Sequence, residues 1–530
     1  MKIETSLAND LPPLLLALCL ISLLIYKLKS TKKSSTSPPL PPGPTAYPIV
    51  GSLPEMLSNK PAFRWIHNLM QELNTEISCI KLGSVHVIAV TSPELSREFL
   101  KKQDAIFDSR PDAMSARITS DGYLTLALSP SGDQWAKMRR VMKSGVLANT
   151  VFQRLHKKRR EEADHLVRYV YKQCKNPDTN GSVNVRDAAR HYCGNVIRKM
   201  VFSKRFFGSG MADGGPGIEE REHVDGLFAI LSCLYGFAIA EFLPWLEVLD
   251  LDGHKKKITN AIKNVRSYQD PEIDKRMEMW EKGLKSEEDD ILDLLINLKK
   301  SINEPLLSIW EIKALIVEIM IETVDNPSNA VEWALAEMIN QPDIVAKACE
   351  ELDQVVGKDR LVQEFDLPKL NYVKACLKES FRIHPLAPFN VPHVSSKDTV
   401  VGGYFIPKGS HVLLSRPGLG RNPRVWDEPL RFRPERHIHD EASEVVLADP
   451  ELHMLSFSTG RRGCPGIVLG STISTMLLAR LIQCFAWRPP LSANAIDLAE
   501  SGNDLALAKP VIAHAMPRLN SQIYLQLKQN

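Results

Sequence analysis

The chain has 530 residues, 44% of them hydrophobic and 24% charged, with a formal net charge of +3. That is ample for a large buried core, and a near-neutral balance excludes a dedicated nucleic-acid binder. Its 9 cysteines are scattered without a CxxC pair, which excludes a disulfide framework and reads as reduced cytosolic thiols. No internal repeat is visible, and no linker follows about residue 50. Residues 51–530 therefore read as one large catalytic unit.

The first element is an apolar run from Leu11 to Leu28, broken by Ser22 and Lys27. It is about 18 residues long, close to the length that spans a bilayer's hydrocarbon. Lys27, Lys29, Lys32 and Lys33 crowd its C-terminal side, while Glu4 and Asp10 precede it. The positive-inside rule places the basic side and everything after it in the cytosol. Residues 1–30 are expected to be an uncleaved membrane anchor. A cleaved signal peptide would carry its basic residues at the other end and a small-residue cleavage site. Residues 31–50 form a basic, proline-rich hinge whose Pro38-Pro39-Leu40-Pro41-Pro42-Gly43-Pro44 reads as a stiff spacer. Asn180-Gly181-Ser182 is a glycosylation sequon that stays unmodified on a cytosolic domain.

Residues 60–105 mix helix with short β runs such as Val85–Val90, and 107–130, with Gly, Pro and Ser, read as a long loop. Helical stretches run from Trp135 to about residue 300. Leu227–Leu249 is apolar enough for either a core helix or a wall that dips into a membrane. Ile309–Met338 is one long helical pattern interrupted by Pro327, and Asp343–Gly357 and Leu370–Ile383 continue the helical count. Residues 398–416 suggest a small β region, and Ile467–Phe485 a final apolar helix. The fold class is mainly α with a small β-rich subdomain and an N-terminal membrane anchor helix.

The segment with the most specific chemistry is Phe457-Ser458-Thr459-Gly460-Arg461-Arg462-Gly463-Cys464-Pro465-Gly466. A haem iron that cleaves an O–O bond needs an electron-rich axial ligand, which a cysteine thiolate supplies. The glycines let backbone N–H groups approach the sulfur, and the helix that follows offers its positive end. Phe457 can shield the porphyrin from water, and Arg462 can pair with a propionate.

This FxxGxRxCxG segment resembles the haem-binding loop of the cytochromes P-450, and other motifs agree in chain order. Glu379-Ser380-Phe381-Arg382 matches the ExxR pair, whose members share one helix face. Pro434-Glu435-Arg436-His437 matches the PERF-type segment, so Glu379, Arg382 and Arg436 are expected to form a buried structural triad. Trp135-Ala136-Lys137-Met138-Arg139 matches the WxxxR helix, and the resemblance implies that Trp135, Arg139 and His393 reach haem propionates. Cys464 would ligate the iron of haem b.

The helix that activates oxygen in this family usually carries A/G-G-x-D/E-T-T/S, but this chain reads Glu322-Thr323-Val324-Asp325-Asn326-Pro327-Ser328-Asn329. Asp325 keeps the acidic position, Asn326 replaces threonine, and Pro327 removes the N–H that would bond the Thr323 carbonyl. This segment is similar to one branch, the plant amino-acid N-monooxygenases that make aldoximes. His437, the His191-Tyr192-Cys193-Gly194-Asn195 stretch and Ser415-Arg416-Pro417-Gly418-Leu419-Gly420 resemble that branch too. Glu322 departs from it, since a small residue is usual there. The resemblance implies two successive N-hydroxylations of an L-amino acid, then loss of water and carbon dioxide. O2 is a co-substrate, and NADPH supplies electrons through an NADPH–cytochrome reductase at the endoplasmic reticulum membrane. Asp325 and Asn326 are the catalytic candidates, and Arg117, Glu322 and Thr323 the substrate candidates, with Arg117 suited to the carboxylate. Lys137, Arg140 and Lys143 offer a basic face to an acidic reductase. The alternatives are hydroxylation of carbon in a small plant metabolite, a haem isomerase or dehydratase, and a tethered haem carrier.

Overall fold

The computed structural model describes residues 38–301, 304–440 and 443–527. The expected anchor and residues 31–37 of the basic hinge lie outside them. The proline-rich stretch from Pro38 onward does not hang free as a spacer. The Pro39 carbonyl accepts the Phe405 N–H and the Pro42 carbonyl the Cys79 N–H, both at 2.8 Å, and Leu40 packs on one of the apolar cores.

Helices dominate, as the periodicity predicts. The longest, Ile309–Asn340, starts at a capping box in which the Ser308 hydroxyl accepts the Glu311 N–H while the Glu311 carboxylate accepts the Ser308 N–H. Pro327 sits inside it without ending it. This helix is the axis of the molecule: Val185–Phe202, Ile218–Leu234, Asn371–Ile383 and Ile467–Cys484 all pack against it. Ile467–Cys484 is apolar enough to cross a membrane, but it is mostly buried within the protein and reads as a core helix.

The β region is larger than residues 398–416. Ile77–Leu82 and Val85–Val90 form a hairpin around Gly83; Val85–Val90 pairs in parallel with His411–Leu414, and His393–Val394 closes the edge antiparallel. A second sheet joins Phe485–Arg488, Ile512–Pro517 and Ser182–Asn184. The first sheet has its own apolar layers, separate from the main helical core.

Two sequence expectations are corrected. Residues 107–130 are not all loop, because Met114–Thr119 is helical. Leu227–Leu249 is not one element: the helix ends at Leu234, and two short turns follow at Ile239–Phe242 and Pro244–Leu249. Its two halves behave oppositely. Leu227, Ile230 and Cys233 are buried, whereas Trp245 is 68% and Val248 89% exposed.

The ExxR pair anchors a buried charge cluster. The Arg382 Nε and Nη2 donate to the two Glu379 oxygens at 2.8 and 2.7 Å, and Arg436 Nε donates to Oε1 at 3.1 Å. His437 Nε2 adds a contact to Oε2 at 2.8 Å, and the Arg433 N–H one to Oε1 at 2.8 Å. The expected triad is thus a group of four side chains. Hydrogen bonds from Arg382 and His437 hold Glu379 down at about 2 against the opposing effect of burial. Arg382 also donates to the Pro429 carbonyl at 2.7 Å, tying the segment before the PERF-type motif to the helix.

Glu379→Gln should strand buried guanidinium charge and destabilise the fold by about 3–5 kcal/mol, read from urea denaturation. Because Glu379 lies below its ordinary value of 4.5 in the folded protein, its stabilisation is complete above that value and lost as pH falls toward 2. The variant's stability should therefore fall less steeply than the parent's across that acidic window.

Candidate functional site

From Glu311 to Ile339 every residue of the long helix is buried except Glu322, Thr323 and Asn326. These three share one face, and all border a cavity whose opposite wall includes Cys464. An outer, more apolar cavity joins it: Arg110, Tyr235, Glu322, Asn326 and Asn390 border both. The sequence-predicted residues Trp135, Arg139, His393, Phe457 and Arg462 line the cysteine cavity.

The cysteine loop is shaped by its own backbone. The Cys464 N–H donates to the Phe457 carbonyl at 2.9 Å, and the Gly463 N–H to the Gly460 carbonyl at 3.0 Å. Gly460 has φ +74°, and a Cβ there would lie 2.4 Å from the Leu100 carbonyl oxygen, so glycine is required twice over. The following helix begins at Ile467. Burial, with Glu322 adding to it, pushes the Cys464 thiol up to about 12, against the pull of the Gly466 N–H and Arg139. The loop and the helix end alone therefore do not hold a thiolate at neutral pH. A metal cation bound to the sulfur does so.

One edge of the cavity collects donors. Arg462 spends Nε on the Asp108 carbonyl at 2.5 Å and Nη1 on the Leu126 carbonyl at 3.3 Å, but its buried Nη2 has no protein partner. Its guanidinium lies 4.5 Å from the Trp135 ring centroid, and the buried Trp135 Nε1 is likewise unpartnered. Arg139 Nη1 donates to the Gly463 carbonyl at 2.7 Å. His393 Nδ1 meets the Phe107 carbonyl at 2.6 Å. Burial and the neighbouring Arg110 hold His393 neutral, so Nε2 can donate to a carboxylate only if that carboxylate's charge draws a second proton onto the ring. A thiol on one wall and unpaired donors along one edge fit a planar iron ligand that carries two carboxylates. The residues present fit haem.

Sequence reasoning missed Arg110, which is buried, carries no ion pair among the described residues, and is held by the carbonyls of Ala127, Val391 and Pro392 at 2.9–3.0 Å. It also missed Tyr235, which borders the cysteine cavity, the outer cavity and a third one behind the long helix. Neither residue lies in a periodic or motif-bearing stretch, so no local signal marked them.

Two candidates lie elsewhere than expected. Arg117 borders none of these cavities. Its exposed guanidinium pairs with Glu247 at 2.6 Å, within the short Pro244–Leu249 turn. Asp325 turns away from Cys464 and borders the third cavity with Arg190. Asn329 donates to it at 2.5 Å, and burial raises it to about 7. Asn326 does face the cysteine cavity, and its Nδ2 donates to the Glu322 carbonyl at 3.1 Å.

The family model described as Cytochrome P450 matches residues 41–513. Among curated proteins, the tyrosine N-monooxygenase of Sorghum bicolor is 52% identical over 99% of each chain. The valine N-monooxygenase 1 of Manihot esculenta is 55% identical over 94% of this chain and 91% of its own. The phenylalanine N-monooxygenase of Arabidopsis thaliana is 54% identical over 95% of this chain and 97% of its own.

Trp135→Phe keeps the ring beside Arg462 and removes one unpaired donor. It should leave the fold intact and speed transfer of haem to an excess of an apo-haem protein several-fold. Cys464→Ser should abolish the red-shifted Soret band of the ferrous carbonyl complex that a thiolate ligand gives; persistence of that band would place the ligand elsewhere.

Proposed function

The chain belongs to the cytochrome P450 family and is a haem-dependent monooxygenase, and on that premise we propose that it converts an L-amino acid to its aldoxime. The reaction is two N-hydroxylations with O2 and NADPH-derived electrons, followed by loss of water and carbon dioxide. The observation that carries this reading is the turn Asn326-Pro327 on the cavity face of the long helix, where the family usually has threonine. The three relatives named for N-oxygenation of amino acids support it, and no observation favours carbon hydroxylation. The amino acids named for these relatives differ in side chain although their identities to this chain lie within 52–55%, so overall identity does not select one amino acid for this chain.

Bound haem supplies the activation of dioxygen and the transfer of one oxygen atom to the substrate. Cys464 would hold its iron, and Phe457, Trp135, Arg139, Arg462, Arg110 and His393, which line the same cavity, would hold the rest of the group. The chain's own part is to place the α-amine and to manage protons. Asn326 spends one N–H on the Glu322 carbonyl and keeps its other N–H and Oδ1 for the cavity. Pro327 leaves the Thr323 carbonyl without its helical donor, so this carbonyl can accept from an ordered water or from the substrate amine. Asp325, raised to about 7 and sharing the rear cavity with Arg190, is suited to passing protons from that side of the helix.

The same reading assigns residues 1–30 as a single-pass anchor in the endoplasmic reticulum membrane, with the catalytic domain in the cytosol. Exposed Trp245, Val248, Leu249 and Leu251 form a second apolar contact that fits the same membrane surface. Arg140 and Lys143 are exposed, and Lys137 is tied to Glu311 at 2.7 Å, so the first two would meet an NADPH–cytochrome reductase.

Feeding the purified protein, its reductase and NADPH with a mixture of the protein amino acids should give one aldoxime or a small related set; carbon-hydroxylated products alone would sink the reading. Asn326→Thr should retain haem and amino-acid binding, release more peroxide per NADPH and form less aldoxime. Coupling as tight as the parent's would remove Asn326 from oxygen activation.

A further inference from the structure

Two charged side chains in the cysteine cavity have no partner. Arg416 follows the strand His411–Leu414, and its backbone N–H bonds the Pro388 carbonyl at 3.0 Å. Its guanidinium makes no ion pair or hydrogen bond within the described residues, and its Nε is buried. Glu322, on the cavity face of the long helix, is also unpaired. It differs from Glu318 one turn earlier, whose two oxygens take the Leu126 and Ala127 N–H groups at 2.9 Å. Arg110 draws on it electrostatically but forms no ion pair with it, and gives Nε and Nη1 to three backbone carbonyls. Arg416 and Glu322 border the same cavity as Asn326. An isolated interior charge is strongly disfavoured, so each of the two calls for a counter-charge from whatever enters.

We propose that Arg416 and Glu322 together recognise the two charges of a zwitterionic α-amino acid, Arg416 taking the α-carboxylate and Glu322 the α-ammonium. This rests on the N-monooxygenase reading and names the groups that select its substrate class. A guanidinium fork matches a carboxylate with two parallel hydrogen bonds. Its base is rigid: Pro417 follows, and the Ser415 hydroxyl accepts the Gly418 N–H at 2.8 Å. Arg416 belongs to a different part of the cavity from the propionate edge. Its charge acts on Tyr235, Asp325 and Cys464, while His393 feels Arg110 and Arg462, and Arg462 feels Asp108, Arg139 and Glu318. Glu322 lies one helical turn before Asn326, so an ammonium held there sits beside the interrupted turn. Burial and Glu318 push Glu322 up to about 8, against the weaker pull of Arg110.

The test uses the full-length holoenzyme, with binding followed by equilibrium dialysis and by the haem difference spectrum. The probes are L-valine, L-isoleucine, L-phenylalanine, L-tyrosine and L-tryptophan. For each one the parent binds, the decarboxylated amine and the deaminated acid are tested beside it. If the parent binds none of the five and forms no aldoxime, the N-monooxygenase reading itself fails. If the parent binds, Arg416→Gln should weaken the amino acid at least about tenfold and the amine less than about twofold. Glu322→Gln should weaken the amino acid several-fold and leave the deaminated acid unchanged. Should Arg416→Gln not retain haem, Arg416→Lys takes its place: charge without the fork should cost the amino acid several-fold and spare the amine. Unchanged amino-acid affinity, or equal loss for amino acid and amine, overturns the assignment while leaving the N-monooxygenase reading in place.

Discussion

One turn of one helix sets the geometry of the interior. Ile309–Asn340 runs through the core, and from Glu311 to Ile339 only Glu322, Thr323 and Asn326 are not buried. A close-packed protein interior tolerates few gaps, and each forfeits dispersion contacts along its lining. Here the gap lies between the helix and a cysteine on a loop made rigid by Gly460 and by the Cys464–Phe457 hydrogen bond. The sheet and the surrounding helices hold those two walls apart.

The interior charges sort by whether they are satisfied. Glu379 is bonded by Arg382, Arg436, His437 and a backbone N–H, and Glu318 by two backbone N–H groups. Arg159 and Glu364 form a fork-to-fork pair at 2.7 Å, and Arg186 meets Glu332 at 2.8 Å. These groups are complete without a ligand and belong to the architecture. Of the groups that lack a partner, Trp135 Nε1, Arg462 Nη2, Arg416 and Glu322 border the cysteine cavity. The desolvation penalty that makes an unpaired buried group costly thus becomes an affinity for whatever fills the hole.

Much of this was legible in the sequence because it is local. A capping box, a proline inside a helical pattern, an i, i+3 Glu–Arg pair and a glycine-bounded cysteine each state their geometry over a few residues. The helical wheel even held an unused signal. At about 100° per residue, Asp325 falls about 110° from the mean direction of Glu322, Thr323 and Asn326, so it could not share their cavity. What failed was long-range. Arg117 looked available until the Pro244–Leu249 turn supplied Glu247 as its partner, 130 residues away in sequence. Arg110 reads as one arginine among many until carbonyls more than 280 residues later wrap around it. The mixed fate of Leu227–Leu249 is likewise decided by which half finds a core to enter.

The proline at 327 ties these strands together. In a dry helix interior it would cost about 3 kcal/mol and leave the carbonyl four residues earlier unsatisfied. The disturbance is confined here: the Ser328 hydroxyl donates to the Val324 carbonyl at 2.7 Å and to the Asp325 carbonyl at 3.0 Å, so the neighbouring acceptors are covered. Only Thr323 is left, and Thr323 is one of the three residues that face the cavity. Its carbonyl can therefore be met by water or by a substrate amine, where in packed core it would meet nothing. Moving the proline one residue earlier would free the Glu322 carbonyl and remove the Asn326 amide that bonds it; moving it one residue later would free the Val324 carbonyl, on a residue buried in the core. The break in the helix and the hole in the core thus have to coincide, and where they do the chain presents a free acceptor, an amide and a carboxyl to whatever lies over Cys464.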